Sequence, residues 1–200
     1  LSIVILVVIL MLFFLFVEEK KCCERCNQEF NDLKSSEEYI EKIQRYRIDE
    51  YLTEGQIFDD VYMQSTAGDT VCLSQLIGQN TLVFYYTEAC CIECVDNYLD
   101  ILNTIYVNFN GQCNIIVISR FDEFKKMLIK VNNLKLLVDC YNSITPLNIK
   151  LSEGDSLHEK PFFVLLDSDR KISFSKIGMP SDSITNPYFG RIIEYIVEDL

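Results

Sequence analysis

Leu82-Val83-Phe84-Tyr85-Tyr86-Thr87-Glu88-Ala89-Cys90-Cys91-Ile92-Glu93-Cys94 is the stretch whose reading decides the fold. Its first five residues are apolar without a break, the pattern of a short strand buried on both faces. After the cysteines, Val95, Tyr98, Leu99, Leu102, Ile105 and Tyr106 recur at helical spacing, so an amphipathic helix is expected to about residue 108. A Cys-x-x-Cys pair at such a strand-to-helix junction has the arrangement of a redox dithiol. The first Cys sits where unpaired backbone N–H groups and the positive end of the helix dipole favour a thiolate. The second lies about one turn further on, close enough to close a disulfide. Glu93, between the two sulfurs, works against thiolate formation. An isolated pair would equally suit a structural or metal-binding role; this setting selects dithiol chemistry.

Working outward, Asn114-Ile115-Ile116-Val117-Ile118 supplies a second buried strand, and strand, long helix and strand make a βαβ unit with parallel pairing. Phe124, Met127, Leu128 and Val131 mark a second crossover helix, and residues 134–138 read as a further strand. Upstream, Ile57-Phe58 and Val61-Tyr62-Met63 lead through Ala67-Gly68-Asp69 into Val71-Cys72-Leu73, a hairpin closed by Ser74-Gln75-Leu76-Ile77-Gly78. Downstream, residues 142–159 are poorly patterned. Pro161-Phe162-Phe163-Val164-Leu165-Leu166 and Lys171-Ile172-Ser173-Phe174 then flank the turn Asp167-Ser168-Asp169-Arg170. Asn186-Pro187 opens a terminal helix with Phe189, Ile192, Ile193 and Ile196 on one face.

With 200 residues, 49% hydrophobic, and only 7 Gly and 4 Pro, the chain suits one packed domain with additions. A net charge of −12 excludes nucleic acid as a partner, because phosphate binding needs a basic face. Residues 1–17 carry no charge, and about 1.5 Å of rise per residue gives roughly 26 Å, near the lower limit for crossing a bilayer core. The run ends in Glu18-Glu19-Lys20-Lys21 with no small-residue cleavage site, which favours a retained anchor over a signal peptide. The organisation expected is therefore an anchor at 1–17, a juxtamembrane stalk and helix at 18–50, and a domain at 51–200. Ser35 with Glu38 reads as a capping box for the stalk helix, which carries Ile40, Ile43 and Tyr46.

These motifs resemble the thioredoxin-fold proteins, and within them the membrane-tethered thiol-disulfide oxidoreductases of the TlpA-like and redoxin group. The resemblance covers roughly residues 55–200 and rests on four features. They are the Gly68-Asp69 hairpin, Leu73-Ser74-Gln75-Leu76 leading to Gly78, the strand into Cys91-x-x-Cys94, and Lys160-Pro161 opening a strand before an acidic turn. It implies an α/β fold: a central mixed sheet with flanking helices and an N-terminal β-hairpin extension, preceded by one transmembrane helix. It implies that Cys91 and Cys94 form the redox-active disulfide and that Pro161 is a site residue, cis and packed against the dithiol. The partners implied are protein thiols and disulfides and a second redox protein; no metal and no cofactor is expected. A single-pass anchor with the redox domain outside the cytoplasm, on the periplasmic face of a bacterial inner membrane, completes the expectation. The chain departs from the family pattern at Cys90, which stands in the usual Trp position, at Tyr85, which replaces a buried acid, and at Ile92-Glu93 between the cysteines.

Cys90 reads as a small side chain filling the Trp position, with a third redox thiol as the alternative. Cys72, Cys113 and Cys140 read as core residues in or beside strands. Cys22, Cys23 and Cys26 read as an incidental stalk disulfide or free thiols, with a second redox pair, lipid modification or a zinc site as alternatives, and His158 as an exposed loop residue. Two other functions compete with the oxidoreductase. One is a peroxiredoxin-like thiol peroxidase, for which Thr87-x-x-Cys90 matches half of the motif while Val83 stands where proline is needed. The other is a non-enzymatic thioredoxin-like binding module, against which the intact Cys-x-x-Cys argues. The anchor assignment predicts that the chain stays with membranes after carbonate extraction and that deleting residues 1–17 yields a soluble, folded domain. Recovery of the full-length protein in the soluble fraction would overturn that assignment.

Overall fold

The structure is a computed structural model and describes residues 37–78, 80–108, 114–145, 147 and 160–178. The expected anchor, Ser35 of the capping box, Cys22, Cys23, Cys26, Cys113, His158 and the terminal helix lie outside the described residues. The chain divides into two compact units, Leu1–Gln44 and Arg45–Leu200. Described residues of the first unit are the opening turns of a helix, α1 (Glu37–Thr53), on which Ile40 is exposed. The second unit holds the remainder of α1 and two further helices, α2 (Ile92–Asn108) and α3 (Phe124–Leu134). Its strands are β1 (Tyr62–Ser65), β2 (Thr70–Cys72), β3 (Thr81–Thr87), β4 (Ile115–Arg120), β5 (Asp139–Ser143), β6 (Phe162–Leu166) and β7 (Ile172–Ile177).

All seven residues of β3 are buried, because this strand is paired on both sides and covered on both faces. It runs parallel to β4 and antiparallel to β6. The full order is β2-β1-β5-β4-β3-β6-β7, with β4 and β5 also parallel and the remaining pairs antiparallel. Side chains alternate across a strand. Leu82, Phe84 and Tyr86 therefore join one core layer with Val95, Tyr98, Leu99, Leu102 and Ile105 of α2 and Met127 of α3. Val83 and Tyr85 join the layer on the opposite face with Tyr46, Phe58, Leu73, Ile116 and Ile118. Two successive parallel crossovers moving in one direction along the sheet leave α2 and α3 on the same side. The hairpin β1–β2 turns at Gly68, whose φ of 94° is a conformation glycine adopts without steric cost. The acidic turn before β7 is an Asx-type turn, with Asp167 Oδ1 accepting from Asp169 N–H at 2.9 Å and Lys171 N–H at 2.8 Å.

Two readings of the sequence need correction. The run at 134–138 is not a strand. Leu134 continues the α3 stripe of Met127 and Val131, Lys135 caps the helix in the left-handed region at φ 49°, and the strand follows at Asp139–Ser143. The stalk helix is also longer than its pattern suggests, and its C-terminal half belongs to the folded unit. Tyr46, Asp49, Glu50 and Thr53 are buried there.

That half of α1, with the turn after it, covers the free edge of β7. Gly55 N–H donates to Ile172 C=O at 2.7 Å, Ile172 N–H donates to Gln56 C=O at 2.9 Å, and Phe58 N–H donates to Arg170 C=O at 2.8 Å. Further along, Glu50 takes the place of a neighbouring strand. Its Oε1 accepts Ile177 N–H at 2.9 Å and its backbone C=O accepts the Ser175 hydroxyl at 2.7 Å. The same carboxylate pairs with Lys176 at 3.4 Å, with side-chain exposures of 4% for Lys176 and 8% for Glu50. Removing Glu50 takes from Lys176 its 3.4 Å counter-charge and from Ile177 N–H its acceptor, a loss of about 3 kcal/mol. Glu50→Ala is therefore expected to lower the unfolding free energy by about 3 kcal/mol in urea titrations, and adding Lys176→Met to recover a large part of it. A loss under about 0.5 kcal/mol for the single variant would show that the pair is not supporting the edge.

Candidate active site

The end of β3 sets the position of every cysteine near the candidate site. Cys90 N–H donates to Thr87 C=O at 3.1 Å, so residues 87–90 form a tight turn. Glu88 N–H donates to Arg120 C=O at 3.1 Å, tying that turn to the end of β4. The chain then enters α2. Val95 N–H donates to Cys91 C=O at 3.0 Å, the first bond of the helical ladder, which makes Cys91 the N-cap residue. Cys94 follows one turn later. Both are half-buried, and Cys94 packs against the core layer beneath α2. Ile92, between them, is 63% exposed. Cys91 thus lies at the accessible positive end of a 17-residue helix, with Cys94 on the inner side of the same turn.

Cys90 is different in kind. It is 5% exposed and belongs to the core layer. Thr87 N–H donates to its Sγ at 3.4 Å, and the Thr87 hydroxyl lies 3.8 Å from the same sulfur. Burial pushes the Cys90 thiol up from its usual range, only partly opposed by the Thr87 bonds, while the neighbouring Cys91 adds to the rise. Cys140, in β5, is pushed up to about 12 by burial and by Asp139. Cys72, at the end of β2, is half-buried rather than a core residue. Tyr85 projects into the layer on the far side of the sheet from α2, and burial raises its phenol while Arg120 pulls it down. A phenol held protonated in this way does not replace a carboxylate as a proton acceptor.

The expected cis proline is not found: no peptide bond among the described residues is cis, and Lys160–Pro161 is trans. Trans is the ordinary state of an X–Pro bond by about 0.5–1 kcal/mol. Pro161 is nonetheless fixed against the helix that carries the cysteines. Its C=O accepts Gly178 N–H at 2.7 Å. A Cβ added at Gly178 would lie 2.8 Å from Pro161 Cγ and 2.9 Å from Tyr98 Cε2, so the proline ring and Tyr98 close on the same point. Tyr98 is four residues beyond Cys94, one turn along α2. Lys160, before the proline, has its ammonium 4.0 Å from the centre of the Tyr46 ring, which ties this segment to α1.

Four supporting residues escaped the sequence reading. Gly178 admits no side chain between Pro161 and Tyr98, yet a glycine after a strand is an unspecific signal. Asn142 holds the loop after β4, accepting Phe121 N–H at 2.9 Å and donating to Phe121 C=O at 3.1 Å. Lys126 pairs with Glu88 of the turn, and Lys130 pairs with Asp96 of α2. None has a local pattern that announces these distant partners. Among the described residues there is no cluster of ligating side chains that could hold a metal ion. No helix among them is long and apolar enough to cross a membrane.

No family model and no curated protein matches the sequence. Solved structures do match in shape. The C-terminal domain of a candidate thiol-disulfide oxidoreductase from Bacteroides thetaiotaomicron aligns over 74% of this chain and 97% of its own, with TM-score 0.55 and 18% identity. The thioredoxin domain of a thiol-disulfide oxidoreductase from Bacteroides vulgatus aligns over 70% of this chain and 97% of its own, with TM-score 0.51 and 13% identity. The peroxidoxin BcpB from Mycobacterium tuberculosis aligns over 72% and 96%, with TM-score 0.50 and 13% identity. The shared property is the fold: this chain has a thioredoxin-like mixed sheet with flanking helices.

The burial of the thiols predicts their order of reaction. In the folded protein at pH 8, iodoacetamide is expected to label Cys91 ahead of Cys90 and Cys140, which react only once pH climbs towards their raised pKa values or the chain unfolds. Peptide mapping after timed quenching reads this directly. Early labelling of Cys90 would overturn the assignment of Cys91 as the accessible thiol.

Proposed function

We propose that the chain is a membrane-anchored thiol-disulfide oxidoreductase that exchanges electrons with protein substrates through Cys91 and Cys94. The observation that carries the proposal is the position of Cys91 as N-cap of α2, with Cys94 one turn inside, directly after the buried central strand. Cys91, as thiolate, attacks one sulfur of a substrate disulfide. The Cys91–substrate bond forms, the substrate disulfide breaks, and the leaving thiolate takes a proton from water. Cys94 then loses its proton and attacks the Cys91 sulfur, which breaks the Cys91–substrate bond and releases the second substrate sulfur as a thiolate that takes up a proton. The protein is left with a Cys91–Cys94 disulfide, and the substrate is reduced by two electrons. The reverse sequence oxidises a dithiol substrate, and the reduction potential of the pair against its partner sets the direction. Pro161 acts as a positioning residue through Gly178 and Tyr98, without the cis bond. The apolar residues 1–17 support attachment to a membrane, with the redox domain on its extracytoplasmic side, where disulfides persist.

A thiol peroxidase is the weaker reading. Thr87 does hydrogen-bond the Cys90 sulfur, but a buried thiol with a raised pKa holds little of the thiolate that attack on a peroxide requires. Removing Cys91 should abolish disulfide exchange. Cys94→Ser should leave attack intact and block resolution, so substrates accumulate as mixed disulfides on Cys91, visible on non-reducing gels and located by mass spectrometry. Trapping through Cys90, or full activity of Cys91→Ser, would overturn the proposal.

A further inference from the structure

Beside the dithiol, a cavity of about 350 Å³ opens between α2 and α3. We infer that it is a subsite for an uncharged, apolar side chain lying next to the reactive cysteine of a protein substrate. This inference rests on the dithiol reading above. Chain continuity is the first reason. Cys90 and Ile92 both line the cavity and Cys91 lies between them in the chain, so the cavity adjoins the cysteine to which a substrate would be bonded. Chemistry is the second. Tyr86, Val95, Phe121 and Leu134 form the walls, and Ile92 and Ile129 stand on the lips, 63% and 59% exposed. Large apolar side chains left exposed at a concave site next to reacting atoms favour an apolar occupant.

Charge gives the third reason. The cavity also contains Glu88, Asp96, Lys126 and Lys130, which form two pairs, Glu88 with Lys126 and Asp96 with Lys130. Each cation therefore already has its anion. A charged substrate side chain would have to give up water without gaining an uncommitted partner, whereas an apolar one leaves both pairs intact. The pairs also fix the lips, because Glu88 belongs to the turn before the cysteines, Asp96 to α2, and both lysines to α3.

Three synthetic tetrapeptide disulfide dimers test the inference on the full-length chain in mild detergent: one with phenylalanine next to its cysteine, one with glycine, one with aspartate. Cystine serves as a disulfide without a peptide context. The reduced protein should show a kcat/KM for the phenylalanine peptide about tenfold or more above that for the aspartate peptide, a difference of one decade in discrimination. Ile129→Lys places an uncommitted ammonium on one lip, and Asn133→Trp fills the mouth; both positions are exposed, so neither change disturbs the core. Each should bring the phenylalanine and aspartate peptides to within about threefold of one another. Equal rates for all three peptides in the unmodified chain would overturn the subsite and leave the dithiol reading standing. The same preference surviving in both variants would likewise exclude this cavity. No reaction with any peptide or with cystine would defeat the dithiol reading and the subsite with it.

Discussion

The pairing of β3 on both sides, parallel to β4 and antiparallel to β6, is the constraint on which the other elements depend. A strand enclosed on both edges and both faces cannot shift register without moving its buried side chains to the wrong layer. Its end is therefore fixed at Thr87, and the turn closed by Cys90 N–H leaves only one way into α2. The bond from Glu88 N–H to Arg120 C=O adds a second attachment, to the end of β4. The mouth of α2 is consequently held by the sheet rather than by the helix alone. A dithiol at that mouth inherits the rigidity of the core beneath it.

This geometry separates three neighbouring cysteines by environment. Cys90 belongs to the turn and points inward, so burial raises its thiol despite two interactions with Thr87. Cys91 caps the helix, and Cys94 sits one turn in against the core layer. Desolvation wins over hydrogen bonding at Cys90 because neutral N–H and hydroxyl donors around sulfur are weak beside the cost of burying a thiolate. The half-match to a peroxidase motif is therefore a match of spelling and of local hydrogen bonds, while burial at Cys90 disfavours the thiolate.

How much could be read from the sequence follows from where the determinants lie. β3, α2, β4 and the β6–β7 hairpin were legible because each buries a continuous or periodic set of apolar side chains. β5 was not, because half of its buried residues are polar: Asn142 bonds Phe121, and the Ser143 hydroxyl donates to Thr145 C=O at 2.5 Å. A strand that satisfies buried polar groups across the fold leaves no apolar alternation to find. The C-terminal half of α1 was missed for a related reason, since Glu50 looks like a solvated stalk residue until β7 lies beside it. In the candidate site, the placement of Cys91 and Cys94 at the start of α2 was legible from local context. The trans state of the Lys160–Pro161 bond was not, because the cis expectation came from resemblance rather than from the residues around it.

The edge formed by β7 shows why α1 belongs to the argument about function. An uncovered edge strand offers its N–H and C=O groups to any other strand. Here the turn after α1 pairs with the first part of β7, and the Glu50 carboxylate accepts the N–H of Ile177 at its far end. Gly178 follows immediately, and its N–H holds Pro161, whose ring meets Tyr98 on the helix of the dithiol. Lys160 lies over Tyr46 on the same α1 segment. The segment of chain that covers the sheet edge therefore also braces the residues packed behind Cys94. A helix that reads as a spacer in sequence is, by its contacts, part of the frame that holds the candidate site.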